Sequence, residues 1–461
     1  MMRKFAAAAL AVFSILACRK NPEQRGVRES PGLTAEVDAY LQPFLDAGGF
    51  SGAVLMARGG RVLLDKAYGL ASQEFGVPNT PRTKFQIASL SKTFTAAAIM
   101  ILQENGKLSV RDHLTRFIPD YSAGDKITIH HLLTHTSGIP NVNDFPEYDR
   151  EARFPHTVPQ IIAMFKDKPL RFPPGDRYEY SNSNYNLLAF VIEKVSGSSY
   201  GDFLEKNIFG PLGMKDSAHR ASDGVIVPGL ATGYAPSGAW GLEKAPCLDW
   251  TIKTGNGSLY STVDDLYKWD RALHGGKILN RLSLDAMFTD HAGGMGYGWF
   301  VGKRSGRRTV RFNGRSPGYT SYLERYIDDD ACIIILSNNY APVPHAAIDG
   351  LRAILFGEPH TTLVMDKGFK ADEASLKTIE GRYKFGLNFY RPDAVVEIRM
   401  EDGALEIVWS ETYKSALRPL AKGVFLDRLF WTTILFQADT EGKITGFIWR
   451  DTRDYPAVRI K

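Results

Sequence analysis

The chain has 461 residues, 44% of them hydrophobic and 23% charged, with a formal net charge of +5. That length supports two or three cores, and a mild positive balance without a basic block carrying interleaved aromatics argues against a nucleic-acid binder. No repeat at solenoid or propeller spacing is present, and beyond the N-terminus no long apolar segment suggests a membrane span.

Met1-Met2-Arg3-Lys4 is a short basic start, followed by a small and apolar run from Phe5 to Ala17 that closes at Cys18. The run falls short of the roughly 20 apolar residues a bilayer span needs and has the proportions of a secretory signal. Its end, Ile15-Leu16-Ala17-Cys18, resembles the lipobox of bacterial lipoproteins, which implies cleavage before Cys18 and lipidation of that cysteine. Cleavage by an ordinary signal peptidase near Ala17, or a cytoplasmic chain with an apolar start, are the other readings. Arg19 in place of an aspartate implies no inner-membrane retention. The expected location is therefore periplasmic or cell-surface, lipid-anchored, on the outer membrane if the cell has two. Lys20 to Pro31 is polar and reads as a tether.

Gly52–Ala57 and Val62–Tyr68 are strand-like runs separated by Arg58-Gly59-Gly60-Arg61, the pattern of a β-hairpin. Next comes Phe85-Gln-Ile-Ala-Ser89-Leu-Ser-Lys92-Thr-Phe94, a Ser-x-x-Lys element where an apolar run turns into a helix. Leu90, Phe94, Ala97, Ala98, Ile101 and Leu102 follow helical spacing, and Asn105-Gly106 marks the stop. Residues three apart share a helix face, so the Lys92 amine can reach the Ser89 hydroxyl. The helix N-terminus favours a developing negative charge at Ser89. A buried lysine is a base near neutral pH, and a serine beside a base is a standard acyl-transfer nucleophile. The same letters also read as a helix cap followed by a surface lysine.

His131 and His135 could share a helix face as metal ligands, but the glutamate of a His-Glu-x-x-His site is missing, so no metal is expected. Pro173-Pro174-Gly175 enforces a turn, and Leu187, Leu188, Val191, Ile192 and Val195 make an amphipathic helix that Gly197 ends. Tyr180 and Asn182 then lie on the loop leading into that helix, where alternation points both at one space. A tyrosine near a lysine can have a lowered pKa and relay protons to a serine. The asparagine amide can accept from the lysine and donate to a substrate carbonyl. Alternatively Tyr180 packs in the core and Ser181 to Asn184 cap the helix.

Cys332 sits in an apolar strand-like run and reads as a packed core thiol, while a disulfide with Cys247 stays open. A second hairpin joins Tyr319–Ile327 to Ala331–Ser337 through Asp328-Asp329-Asp330. Hairpins at both ends of a helical region suggest one antiparallel sheet closed by both termini, an α+β arrangement. Past residue 360 the runs at Tyr383, Val395–Arg399, Ala404–Trp409, Val424–Leu426, Thr432–Phe436 and Ile444–Trp449 are short and alternating. They predict a small closed or nearly closed barrel without a catalytic constellation.

Ser89-x-x-Lys92 followed by Tyr180-x-Asn182 resembles the serine β-lactamase-like, penicillin-binding-protein-like hydrolases: class C β-lactamases, D-alanyl-D-alanine carboxypeptidases and related esterases and D-amino-acid peptidases. Ile127-Thr-Ile-His-His-Leu-Leu-Thr-His135-Thr-Ser-Gly-Ile-Pro140 is similar to that family's Leu-Leu-Thr-His-Thr-Ser-Gly segment. Gly257-Ser-Leu-Tyr-Ser-Thr-Val-Asp-Asp-Leu266 is similar to its Gly-Leu-x-Ser-Thr-x-x-Asp-Leu segment. The resemblance implies a β-lactamase/transpeptidase-like fold, a five-stranded antiparallel sheet flanked by helices with a mainly helical insert. The implied division is a signal at 1–17, a tether at 18–33, the hydrolase domain at 34–357, a linker at 358–375 and the β-barrel-like domain at 376–461.

In the family a strand bearing Lys-Thr-Gly or His-x-Gly precedes a Pro-Gly turn. Pro317-Gly318-Tyr319 aligns Phe312-Asn313-Gly314 with that triplet, so the cationic or imidazole residue has become Phe312. This departure argues against efficient turnover of β-lactams or of peptides with a free C-terminal carboxylate. Arg311 and Arg315 flank the position, although strand alternation turns at least one of them elsewhere. Gly314 permits close approach, and by resemblance the amides of Ser89 and Arg315 form an oxyanion hole. The resemblance thus implies a cofactor-free serine hydrolase cleaving an ester or amide bond of a small-molecule or peptide substrate through an acyl-enzyme on Ser89. Lys92 and Tyr180 would handle the proton, with Asn182 positioning substrate. D-amino-acid peptidase, carboxypeptidase or β-lactamase activity is the alternative. A catalytically weak ligand-binding homologue is the alternative of another class, and oligomerisation through the C-terminal domain is open.

Overall fold

Six antiparallel strands run in the order Phe300–Arg304, Arg307–Ser316, Tyr319–Tyr326, Ala331–Ser337, Gly52–Arg58 and Arg61–Tyr68. The computed structural model describes residues 31–238, 241–362, 369, 371–401, 403–410, 413–450 and 453–461. Both predicted hairpins are present, and Gly52–Arg58 joins them by pairing with Ala331–Ser337. The sheet has one strand more than the resemblance implies. Phe300–Arg304 is short and carries Gly302 and two cations, so its alternation is weak in sequence, yet it pairs in register with Arg307–Arg311. Cys18, where lipidation is expected, lies outside the described residues, and the helix Pro31–Asp46 begins within the segment expected to be a tether.

Each face of the sheet covers a core. One lies under the helices Pro31–Asp46 and Val343–Phe356, where Tyr40, Phe44, Val54, Ile333, Ile335 and Leu351 are buried. The other is larger and holds Phe94, Leu132, Leu187, Trp269 and Phe312 between sheet and helical insert. The strand Ala331–Ser337 is buried along its whole length because both faces are covered.

The C-terminal module is a closed barrel of eight antiparallel strands: Gly381–Phe385, Val395–Glu401, Ala404–Ser410, Tyr413–Ala421, Val424–Asp427, Thr432–Ala438, Ile444–Arg450 and Asp454–Ile460. Two of these strands escape the sequence pattern. Tyr413–Ala421 carries Pro419 beside a bulge, and Asp454–Ile460 carries Pro456, a residue that normally demotes a strand.

One turn docks the barrel. Asp427 Oδ1 accepts from the amides of Leu429 (2.9 Å) and Phe430 (3.2 Å) and from Ser415 Oγ (2.7 Å). Burial pushes its carboxyl up to about 6. The turn thus shaped presents Arg428 to the carbonyls of Gly238 and Gly241, at 2.8 and 2.9 Å. Trp431 stacks on Phe44 with ring centroids 5.5 Å apart. Beside it, a cavity of about 610 Å³ lies between barrel aromatics, Trp409, Phe430 and Trp449 among them, and the strand segment Asn313–Arg315.

Candidate active site

The short strand Phe85–Gln86 pairs with Leu259–Ser261, and the Ile87 amide donates to Leu259 O at 2.9 Å. The Leu259 amide in turn donates to Ser91 Oγ at 3.1 Å. These bonds fix a 3-10 turn at Ala88–Leu90 ahead of the helix Ser91–Glu104. Ser89 therefore lies on that turn rather than in the helix itself. Ala88 is held at φ 47°, a left-handed conformation that strains any residue with a Cβ.

Lys92 is wholly buried and reaches back to Ser89, with Nζ 3.1 Å from Oγ. Its other neighbours are Asn182 Oδ1 at 2.9 Å and the Asn256 carbonyl at 2.7 Å. Both are acceptors only. A neutral amine has two N–H groups for them and one lone pair, which then faces the Ser89 hydroxyl. Burial, and secondarily the charge of Lys253, hold the Lys92 amine well below the usual lysine range, so the neutral form is the favoured one.

Tyr180 comes from the loop preceding the helix Asn182–Ser196, and its hydroxyl donates to Ser89 Oγ at 2.9 Å. Its ring lies against His135, centroids 4.5 Å apart. The sequence reading that its pKa is lowered is corrected: burial raises it, so the group is a phenol donor and not a phenolate. Lys92 Nζ lies 5.0 Å from the ring centroid, yet it is not a compensating charge when neutral.

Asn182 is the first residue of its helix rather than part of the loop, because Ser181 is the N-cap. Its Oδ1 faces Lys92, while Nδ2 donates to Asn143 Oδ1 at 2.8 Å, so one amide hydrogen is already engaged. His135, which matched the family segment, braces the loop. It sits at φ 57°, its Nδ1 accepts from the Ser181 amide at 3.2 Å, and its carbonyl accepts from the Glu179 amide at 2.9 Å. His131 Nδ1 accepts from the Thr128 amide in a capping box. Among the described residues, no group of three or more His, Cys, Asp or Glu could hold a metal ion.

The strand Arg307–Ser316 forms the opposite wall. A Cβ at Gly314 would lie 2.2 Å from Ile87 O and 2.9 Å from the Ser89 nitrogen, so only glycine lets the strand approach the nucleophile turn. Phe312, on the same side of the strand, is 1% exposed and stacks on Phe300 at 5.0 Å. Neither flanking arginine restores a cation there. Alternation puts both on the other side: Arg315 Nε donates to Tyr340 O at 3.0 Å and Nη2 to Leu429 O at 2.7 Å. Arg311 lies close enough to Tyr322 and Glu324 to act on their charges, and Tyr322 belongs to the core on the sheet face opposite Phe312. Cys247 is exposed and Cys332 is buried, and both are free thiols.

Beside Ser316 opens a cleft of about 540 Å³ lined by Asn143, Tyr148, Cys247, Lys253 and Arg315. Lys253, at the end of the 3-10 turn Trp250–Lys253, was missed by sequence reasoning, as was the Asn256 carbonyl. A signal existed. Lys253-Thr254-Gly255 spells the triplet sought on the strand, but it lies far ahead of any Pro-Gly turn.

Known proteins share sequence and fold with this chain. The family profile described as Beta-lactamase matches residues 37–357. Penicillin-binding protein 4* of Bacillus subtilis (strain 168) is 28% identical over 437 residues, covering 89% of this chain and 95% of its own. The octameric penicillin-binding protein homologue from Pyrococcus abyssi superimposes with a TM-score of 0.64 at 25% identity, over 93% of this chain and 98% of its own. A D-stereospecific amidohydrolase from Streptomyces sp. gives 0.62 at 25% identity, over 70% and 99%.

Proposed function

The chain belongs to the beta-lactamase family and is a serine hydrolase, and on that premise we propose that it cleaves an ester or amide bond through an acyl-enzyme on Ser89. The observation that carries this reading is the placement of one hydroxyl: Ser89 Oγ lies 3.1 Å from an amine whose pKa burial lowers and 2.9 Å from a phenol donor. Lys92 takes the Oγ proton as Oγ attacks the carbonyl carbon. The developing oxyanion is received by the amides of Ser89 and Arg315, each contributing about 3 kcal/mol to the barrier reduction. The proton passes to the leaving oxygen or nitrogen through Lys92 or Tyr180. Water, deprotonated by the same amine, then releases the acid and restores Ser89. Asn182 holds Lys92 in the orientation that keeps its lone pair on Oγ.

Labelling of the intact protein with a fluorophosphonate probe tests the assignment. An adduct lost in Ser89→Ala is expected; no adduct, or one indifferent to that substitution, rejects it and leaves the binding-only alternative that Phe312 motivates. Amide substrates stay in view because a relative superimposing at 25% identity is a D-stereospecific amidohydrolase. Phe312 puts an apolar ring where the family carries a cation or imidazole. Nitrophenyl esters are accordingly expected to turn over faster than nitrocefin, with D-amino-acid anilides in the same panel.

The N-terminal sequence supports a lipid anchor at Cys18 and a periplasm-facing or surface location. No described helix is long and apolar enough to cross a membrane. The octameric homologue supports assembly of this chain into an oligomer, for which the barrel is the proposed contact. Mass measurement of the lipidated N-terminus and sedimentation of the purified protein test the two points.

A further inference from the structure

Lys253 is 7% exposed, yet among the described residues it has no carboxylate partner. Its Nζ meets the Tyr148 hydroxyl at 3.3 Å and lies 5.8 Å from that ring. A buried cation without an anion is unfavourable, and proteins ordinarily pair it or dispense with it. This one instead lines the cleft of about 540 Å³ that opens beside Ser316, together with Asn143, the hydrogen-bond partner of Asn182. Arg153 lines it too, and the single carboxylate there, Asp149, forms no ion pair with Lys253.

Two further facts tie Lys253 to the reacting groups. Its stem packs against Gly257, where a Cβ would lie 3.5 Å from the Lys253 Cδ and 3.5 Å from the Ala88 carbonyl carbon, the residue before the nucleophile. The Asn256 and Gly257 amides both donate to the Lys253 carbonyl, at 2.9 and 2.8 Å, so the loop that supplies the Asn256 carbonyl to Lys92 is folded around it. The Lys253 stem is thus packed beside the segment that carries Ser89, and the cleft it lines also reaches Arg315 on the opposite wall.

We propose that Lys253 is an anion-binding residue of the substrate cleft, and that preferred substrates carry a carboxylate a few bonds from the scissile carbonyl. The substrate class rests on the reading that Ser89 is acylated. Phe312 removed the strand cation, and a cation on a different element takes up a carboxylate placed differently. The expectation that charged substrates are disfavoured then applies only to those whose carboxylate must meet residue 312. The anion at Lys253 is paired on one side by the cation and hydrogen-bonded on the other by the Tyr148 hydroxyl.

A matched pair of esters tests this: 4-nitrophenyl hexanoate and mono-4-nitrophenyl adipate, which differ by a terminal methyl against a carboxylate. The wild-type protein is expected to favour the adipate ester about tenfold or more in kcat/KM. Lys253→Gln should abolish that preference, and Lys253→Arg should retain most of it, with circular dichroism melting of each variant recorded alongside. Equal preference in wild type and Lys253→Gln, or no preference in wild type, overturns the proposal. Calorimetric titration of adipate into Ser89→Ala, with and without Lys253→Gln, reads the anion site without turnover. Binding that requires the lysine supports the site even if neither ester acylates Ser89, an outcome that rejects the acyl-enzyme reading alone. Lysine-independent binding, or no binding to either variant, overturns the site.

Discussion

Arg315 Nη2 donates to the main-chain oxygen of Leu429 at 2.7 Å, so a barrel carbonyl holds the residue that follows Gly314 on the catalytic wall. The guanidinium also stacks on Tyr340, 4.0 Å from its centroid. Arg315→Ala would leave the Leu429 and Tyr340 carbonyls without this donor and remove a charge that favours ionised Asp427. A loss of about 2–3 kcal/mol in stability is expected. Because the backbone amide survives, ester kcat/KM should fall by only about tenfold, through displacement of the strand. Thermal unfolding and ester hydrolysis measured on the same preparation check both figures.

Lys92→Met should separate activity from stability. Removing a general base costs about 10²–10⁴-fold in rate, so ester turnover is expected to drop by at least that much. Stability should move the other way. The unfolded lysine titrates near 10.5 and the folded one well below it. Between those values the unfolded chain binds the extra proton, and the native state loses stability as pH falls. The penalty is absent above about pH 10.5 and complete below the folded pKa. Methionine carries none of it, so the variant should melt higher than wild type at neutral pH and converge with it in alkali.

Tyr180→Phe removes the donor to Ser89 while keeping the ring that packs on His135. A loss of about 10²-fold in kcat, with a melting temperature within a few degrees of wild type, is the expected pair of results. Since burial raises the phenol's pKa, the wild-type rate should show no descending limb from Tyr180 in the neutral range.

Lys253 also acts on the base at a distance. Its charge contributes, after burial, to the lowering of Lys92. Lys253→Gln removes that repulsion, so Lys92 holds its proton to higher pH. The ascending acid limb of kcat/KM, measured with a neutral ester, is expected to move upward in pH. A limb that stays in place or moves down contradicts this electrostatic coupling.

Local sequence pattern carried much of this architecture. The hairpins flanking the insert were legible because Gly59-Gly60 and Asp328–Asp330 punctuate strongly alternating or apolar runs. Ser89, Lys92, Tyr180 and Asn182 were legible because their types and spacing match a known family. The barrel strands with Pro419 and Pro456 were not, since a proline at a bulge or beside a barrel seam is acceptable only in a tertiary setting that local pattern does not encode. Tyr180's protonation was misjudged for a related reason: desolvation depends on what surrounds a side chain, and here the same burial that raises the phenol also lowers Lys92, the neighbour expected to act on it. Lys253 lay hidden because its importance comes from being buried without a carboxylate partner among the described residues, a property of three-dimensional surroundings.

Leu426 and Trp431 belong to the barrel's strands and docking turn, yet they are buried in the same core as Tyr40, Phe44 and Ile333. The division seen in strand topology is therefore bridged by a shared hydrophobic core. The barrel keeps a core of its own around Tyr383, Phe385 and Trp449, but because Leu426 and Trp431 complete the other one, calorimetry is expected to record one endotherm where two independent modules would give two. A barrel transplanted onto another hydrolase would have to bring Asp427–Trp431 and find the niche beside Gly49, where a Cβ would fall 1.9 Å from the indole.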